Sequence, residues 1–347
     1  MWWIYTVYIA LLVSVVFLSV KLGHLVDLLD RKTKISGAFL GAILLTSVTT
    51  LPELFSSISA IFVVGEPELV VGNILGSNLF NMMIIAIATI IFFGNFKKAR
   101  ISKFHIWQIV IAGAFYALAA FAVFFPEAQI IFSIHLGHGS VRFGYLNLIS
   151  IIILIVYVLL LRFHPSEKDE HHEAKEDNTK ITVKQIMIRF AFFAVLLIAA
   201  SMGIAYAGDI IADELHLGKA IAGVIFLGLA TSLPEFVTSM TLVSKKNFDA
   251  SLGNILGSAV FNFSILALSD VLTVNGSIYN YHEHTLEIGI ILACLVVSWL
   301  ALGTWVFVKS RKQKMKSNKW ALLFVPLSII IIGSYVLSIV LSIIFAT

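Results

Sequence analysis

The chain has 347 residues, is 59% hydrophobic with a mean hydropathy of +0.97, and carries 13% charged residues, where a soluble protein carries roughly a quarter. These values exclude a soluble globular protein. The net charge of +4 and pI near 9.0 do not point to nucleic acid, because the basic residues sit in short segments between apolar runs, and the single Cys294 excludes a disulfide framework or a cysteine metal cluster within one chain.

Crossing the hydrocarbon core takes about 20 mainly apolar residues. Runs that satisfy this predict spans at 2–21, 36–64, 69–94, 105–125 and 143–163, then at 184–212, 219–243, 250–273, 285–308 and 320–346. The first run lacks a basic leading segment and a small-residue cleavage site, so it is read as a retained span. The predicted fold is therefore an all-α integral membrane protein of ten transmembrane helices. Its first five-helix half covers residues 1–163, a hydrophilic linker covers 164–182, and a second half covers 183–347.

Basic residues orient the spans. Of 24 Lys and Arg, 22 fall in odd-numbered loops, including Arg31, Lys32, Lys97, Lys98, Lys245, Lys246 and the run from Lys309 to Lys319. The even-numbered loops hold only Arg142 and Lys219. The positive-inside rule places the odd loops in the cytoplasm and both termini outside. With five spans per half, the halves must enter the membrane in opposite orientations, as in transporters built from inverted repeats with sites at the midplane.

Polar motifs recur in both halves. Thr49-Thr50-Leu51-Pro52-Glu53 in the second span returns as Thr231-Ser232-Leu233-Pro234-Glu235 in the seventh. Asn73-Ile74-Leu75-Gly76-Ser77 in the third returns as Asn254-Ile255-Leu256-Gly257-Ser258 in the eighth. At helical spacing, Thr46, Thr49, Thr50, Glu53 and Ser57 form one stripe; Asn73, Ser77 and Asn81 form another. Thr231, Glu235 and Ser239, then Asn254, Ser258 and Asn262, repeat them. Facing one another, the four stripes would enclose a dry chamber lined by oxygen. Pro52 and Pro234 leave carbonyls about one turn back without a donor, which adds backbone oxygens. Ser, Thr and Asn also serve as ordinary glue between membrane helices, and Ser57, Ser239, Asn73 and Asn254 fit that role equally well. Glu53 and Glu235 do not, since a carboxylate at membrane depth is costly and no basic residue lies nearby in sequence. An all-oxygen set suits a hard cation such as calcium, which takes about six to eight oxygens, and disfavours zinc or copper. An intramembrane protease would need paired aspartates, a Ser/His pair or a zinc-binding His motif, which the stripes lack. A channel would need a continuous pore rather than discontinuous helices in inverted repeats.

At these residues the chain resembles the cation/calcium exchanger superfamily, most closely its sodium/calcium exchanger branch of prokaryotic type. The two Leu-Pro-Glu and two Gly-Asn-Ile-Leu-Gly-Ser motifs carry the resemblance, within alpha repeats at 37–89 and 218–268. The resemblance implies a secondary antiporter, not an enzyme, with no cofactor. Its cargo would be calcium against monovalent cations, with sodium favoured and protons, or another divalent ion such as manganese or magnesium, as alternatives. It further implies that Glu53 and Glu235 are the calcium carboxylates and that the Thr49 and Thr231 carbonyls complete the shell. Thr50, Ser77, Ser232 and Ser258 would be sodium hydroxyl ligands, with Asn81 and Asn262 in the middle position. Spans one and six would move over a fixed core. A monomer in the lipid of the plasma membrane, without nucleic-acid partners, is expected. Two departures stand out: Asn262 replaces an Asp usual in the second repeat, and Val48 replaces a small residue. With Asn at 81 and 262, the site holds at most two negative charges. Exchange of one calcium for two monovalent cations, electroneutral or nearly so, follows as an expectation.

Other polar groups carry less. The linker from Glu167, with its His171-His172 pair, reads as solvated chain before it reads as a metal or pH sensor. His135, His138, His216, His282 and His284, with Glu66, Glu68, Asp213, Glu214 and Glu283, would enrich cations weakly at the outer face. Asp270 is expected near the outer end of the eighth span, beside an exit path.

Overall fold

The computed structural model describes residues 2–33, 35, 37–64, 68–96, 102–125, 130–135, 142–162, 181–214, 229–273, 276–279, 285–312 and 322–345. The principal helices are α1 (Trp2–Lys32), α2 (Gly37–Val63, in several segments), α3 (Glu68–Ile91), α4 (Phe104–Phe124) and α5 (Leu148–Arg162). They continue with α6 (Val183–Glu214), α7 (Leu229–Ser244), α8 (Phe248–Leu272), α9 (Thr285–Lys312) and α10 (Phe324–Phe345). Among the described residues eight helices are long and apolar enough to cross a membrane; α5 is shorter, and α7 is described only from Leu229.

The packing is inverted relative to a soluble protein. Large apolar side chains such as Val13, Phe17, Trp107, Phe192, Val195, Leu300 and Ile329 face outward, while Ser, Thr, Asn and Glu are buried. That is the arrangement lipid selects, since tails solvate hydrocarbon and leave polar groups to find partners inside. Helix α8 is the axis, its window 78% buried, and it touches α2, α3, α4, α5 and α7. Glycines of α2 and α8 make this possible. A Cβ on Gly41 would strike the Ala250 backbone, one on Gly253 the Ala38 backbone, and one on Gly257 the Ala42 backbone and the Thr46 hydroxyl. Helix α1 lies along α6 and against α7, outside this core.

Contacts bring the basic loops to one face. Asn247, in the α7–α8 turn, donates to Asp27 and Asp30 near the end of α1, at 3.3 and 2.9 Å. The Ser102 amide donates to Asp249 at 2.8 Å, and Lys309 near the end of α9 donates to the Phe96 carbonyl at 2.6 Å. Opposite ends gather elsewhere: Asn147 before α5 donates to Ser277 beyond α8.

Several expectations change in detail. The stretch 143–147, assigned to the fifth span, belongs to a strand (Arg142–Asn147) paired antiparallel with Ile131–His135, so one small β-ribbon is added to the expected helical architecture. Helix α5 starts only at Leu148, where Asn147 accepts from the Ile149 amide. Helix α1 runs three turns beyond the predicted 21 because Asp27 and Asp30 are matched by Arg31, Lys245 and Asn247. Two π-helical segments, Leu40–Leu45 and Ala60–Val64, flank the proline motif in α2. The linker 164–180 lies outside the described residues, as do His138, His216, His282, His284, Glu66 and Glu283; the side chains of His135, Glu68, Asp213 and Glu214 do too.

Candidate cation site

The chain breaks at Thr50. Its φ of −93° and ψ of 0° end the segment Thr46–Thr49 and precede Leu51–Ser59, which carries Pro52 in its first turn, where a missing N–H costs least. Thr50 stands at the cap position without capping its own helix; its hydroxyl instead crosses to α7 and donates to Glu235 Oε1 at 3.1 Å. Helix α7 stays helical through Pro234, so the two halves differ at the break that the motifs predicted for both.

The ten predicted residues are all at most 3% exposed, and hydrogen bonds join Glu53, Ser77 and Ser232 in one group and Glu235, Thr50 and Ser258 in another. Ser77 of α3 and Ser232 of α7 donate to Glu53 Oε1 at 3.1 and 3.3 Å and lie 2.8 Å apart. Thr50 bonds Glu235 and lies 2.9 Å from Ser258 of α8. Since Thr50 corresponds to Ser232, Glu53 to Glu235 and Ser77 to Ser258, the same cross-half hydroxyl pair recurs beside each carboxylate: Ser77 and Ser232 both donate to Glu53, and Thr50, paired with Ser258, donates to Glu235. The side chain of Thr231 also reaches Glu53, and that of Thr49 reaches Glu235.

Four acceptors remain. Glu53 Oε2, Glu235 Oε2, Asn81 Oδ1 and Asn262 Oδ1 are buried and accept no hydrogen bond. Leaving a buried polar group unsatisfied costs about 1–3 kcal/mol each. These four stand on repeat-equivalent positions, and all are acceptor oxygens, which a group supplying only positive charge would satisfy. Among the described residues no three His, Cys, Asp or Glu converge on a soft-metal site. A carboxylate pair with two amide oxygens and bracketing hydroxyls offers hard oxygen ligands.

The rest of the stripes divides. Thr46 donates to the carbonyls of Asn254 and Gly41, tying α2 to α8. Asn254 donates to Ser239 and Thr238, at 3.0 and 3.3 Å, which is interhelical glue. Asn73 Nδ2 and Ser57 Oγ have no partner. Asp270 does not stand open beside an exit path: Ser150, Ser277 and the Ile278 amide all donate to it, so it pins α5 to the segment after α8. Sequence reasoning missed Asn78, whose Oδ1 accepts from Asn262 Nδ2 at 2.8 Å and so aims the free Asn262 oxygen. Its counterpart in the second half is Ala259, so repetition could not flag it. It also missed the buried His105, held between Asp249 at 2.8 Å and Gln108 at 2.9 Å.

Comparisons with known proteins give the family and the fold. The inner membrane protein YrbG of Escherichia coli is 24% identical over 281 residues, 77% of this chain and 79% of its own. CaxA of Alkalimonas amylolytica, named as an antiporter, is 25% identical over 248 residues, 70% of this chain and 72% of that one. Sodium/potassium/calcium exchanger 3 of Rattus norvegicus is 35% identical over 81 residues, 20% of this chain and 13% of its own. In fold, the chain is similar to the sodium-calcium exchanger NCX_Mj, with a TM-score of 0.65 and 18% identity over 96% of this chain and 99% of that one. The sodium/calcium exchanger protein family matches residues 2–164 and 186–344, nearly the whole length in two blocks, and the chain belongs to that family.

Proposed function

We propose that this protein is a secondary active antiporter that exchanges calcium for monovalent cations, sodium above all, by alternating access, with Glu53 and Glu235 as the shared cation site. The observation that carries the reading is the set of four buried, unpartnered acceptor oxygens on Glu53, Glu235, Asn81 and Asn262. Thr50, Ser77, Ser232 and Ser258 are the hydroxyls for sodium on either side, and the carbonyls of Thr49 and Thr231 complete the calcium shell. Family membership and the antiporter name of CaxA support the class of activity.

The chemistry follows from charge. Two ionised glutamates balance one divalent cation or two monovalent ones, and with Asn at both 81 and 262 no third acid is present. Calcium draws both carboxylates inward, whereas monovalent ions leave them held by their hydroxyl brackets; occupancy by one cargo excludes the other. A cycle of one calcium for two monovalent cations moves little or no net charge. Proton-coupled exchange is the second reading, favoured by one feature: each glutamate keeps an unpartnered Oε2 on which a proton can sit.

The membrane arrangement we propose is ten spans in two inverted halves, residues 1–163 and 183–347, joined by the linker 164–182. The family match in two blocks and the crossed pairing of equivalent hydroxyls support it. The basic face is then cytoplasmic, both termini are outside, and the protein works as a monomer in the plasma membrane without a cofactor. Helices α1 and α6 slide over the core. Calcium uptake into proteoliposomes under imposed sodium, proton and potassium gradients, each applied alone, tests the function. Uptake driven by sodium supports it; proton-driven uptake supports the second reading; uncoupled flux refutes both.

A further inference from the structure

Two equivalent pairs of side chains flank the glutamates, one in each half, and they are in opposite conditions. In the second half, Asn254 Nδ2 donates to Ser239 Oγ at 3.0 Å and to Thr238 Oγ1 at 3.3 Å, and all three side chains are fully buried. In the first half, the counterparts Asn73 Nδ2 and Ser57 Oγ are both without a partner. Exposure follows part of this division: Asn254, Gly257 and Thr238 are buried, while their counterparts Asn73, Gly76 and Ser56 are half-buried, and Ser57 is as buried as Ser239.

The two pairs also lie towards opposite faces. Ser239 and Asn254 sit five or six residues from the α7–α8 turn, on the basic face. That face is drawn shut further by the tether from α1: Asn247 to Asp30 at 2.9 Å, Lys245 to Asp27 at 3.8 Å, and Gly23 packed on Thr238 and Thr241. Ser57 and Asn73 lie past the glutamate level in the other direction, towards the end of α2 and the start of α3.

From this asymmetry we propose that Asn254–Ser239 and Asn73–Ser57 are twin latches, one made and one released in each access state. In the state described here the latch towards the basic face is made and its twin is released. The transition releases Asn254 from Ser239 and lets Asn73 close on Ser57. Because one hydrogen bond is exchanged for its equivalent, the two states stay near in free energy, as a carrier that must visit both requires. The role of the motion rests on the antiport reading; the latches themselves do not.

Hydrogen–deuterium exchange of the purified full-length protein in nanodiscs, without divalent cation, tests this with two substitutions. Losing one such bond shifts the equilibrium roughly two- to tenfold. Ser239→Ala should speed exchange of backbone amides at 239–254 by that factor and slow it around 57 and 73. Ser57→Ala removes a hydroxyl that makes no bond in this state, so it leaves the fold intact; it should slow exchange at 239–254, on the far side of the site. Ser239→Thr, which keeps the hydroxyl, should behave as the unmodified protein. If each alanine loosens only its own surroundings, or both shift exchange in the same direction, the latches are not coupled and the proposal is overturned. A protein that moves no calcium yet shows the opposed pattern would refute the exchanger reading and leave the latches standing.

Discussion

At the scale of single residues, the site is defined by what is left unpaired. Glu53 and Glu235 each give one oxygen to a hydroxyl bracket and keep one free, and the free amide oxygens of Asn81 and Asn262 match them. Asn78 has a supporting part, since its acceptor fixes which end of the Asn262 amide faces the site. Asn78→Leu should therefore raise the calcium concentration for half-maximal uptake several-fold, about what one neutral hydrogen bond is worth, with little change in maximal rate. Initial rates across a calcium series check this, and an unchanged half-saturation would remove Asn78 from the site. Asn262→Asp adds the absent third acid. It should turn calcium exchange into a current-carrying process under a potassium–valinomycin clamp. The site residues were legible because helix packing alone does not call for carboxylates and hydroxyls at helical spacing, repeated in two apolar halves. Asn78 and His105 were not, because neither is repeated, and a lone polar residue within or at the end of a span looks like ordinary interface.

At the scale of elements, the proline motif and the glycine rows set the geometry. The break at Thr50 frees one hydroxyl to leave its own helix and reach Glu235, and the glycines of α8 let α2 approach to backbone contact. Gly253→Val and Gly257→Val put carbon where the backbone of α2 stands, so each should lower the thermal midpoint by many degrees or prevent accumulation in the membrane. Gly333→Ala in α10 meets no atom within 4 Å and should leave the midpoint unchanged. Fluorescence-detected thermal unfolding in detergent separates these outcomes. The sequence foretold most helices to within a few residues, because a continuous apolar run reports length well. It could not foretell the π-helical segments of α2, whose apolar side chains satisfy several helical periods alike, nor the ribbon at 142–147 ahead of α5. The far end of α1 was cut short because its stability comes from Asn247 and Lys245, more than 200 residues away.

At the scale of the whole molecule, the two halves contribute equally to one site, since every hydroxyl bracket is made of one residue from each. On the proposed function neither half could build a cation shell alone, which would be a physical reason for the two halves to stay joined. On the proposed exchange, two acids and no third give an electroneutral cycle; calcium uptake by the unmodified protein should accordingly be insensitive to an imposed membrane potential of either sign, measured by tracer flux in clamped vesicles. The measurement that bears most directly on the function is calcium uptake into sodium-loaded proteoliposomes by the unmodified protein beside Glu53→Gln and Glu235→Gln, with folding verified by size-exclusion profile. Each amide keeps the shape of the side chain and removes one of the two charges that balance calcium, so uptake should fall to the level of empty vesicles in both while the profile is retained. Near-normal uptake by either variant would contradict the assignment of these two carboxylates as the cation site.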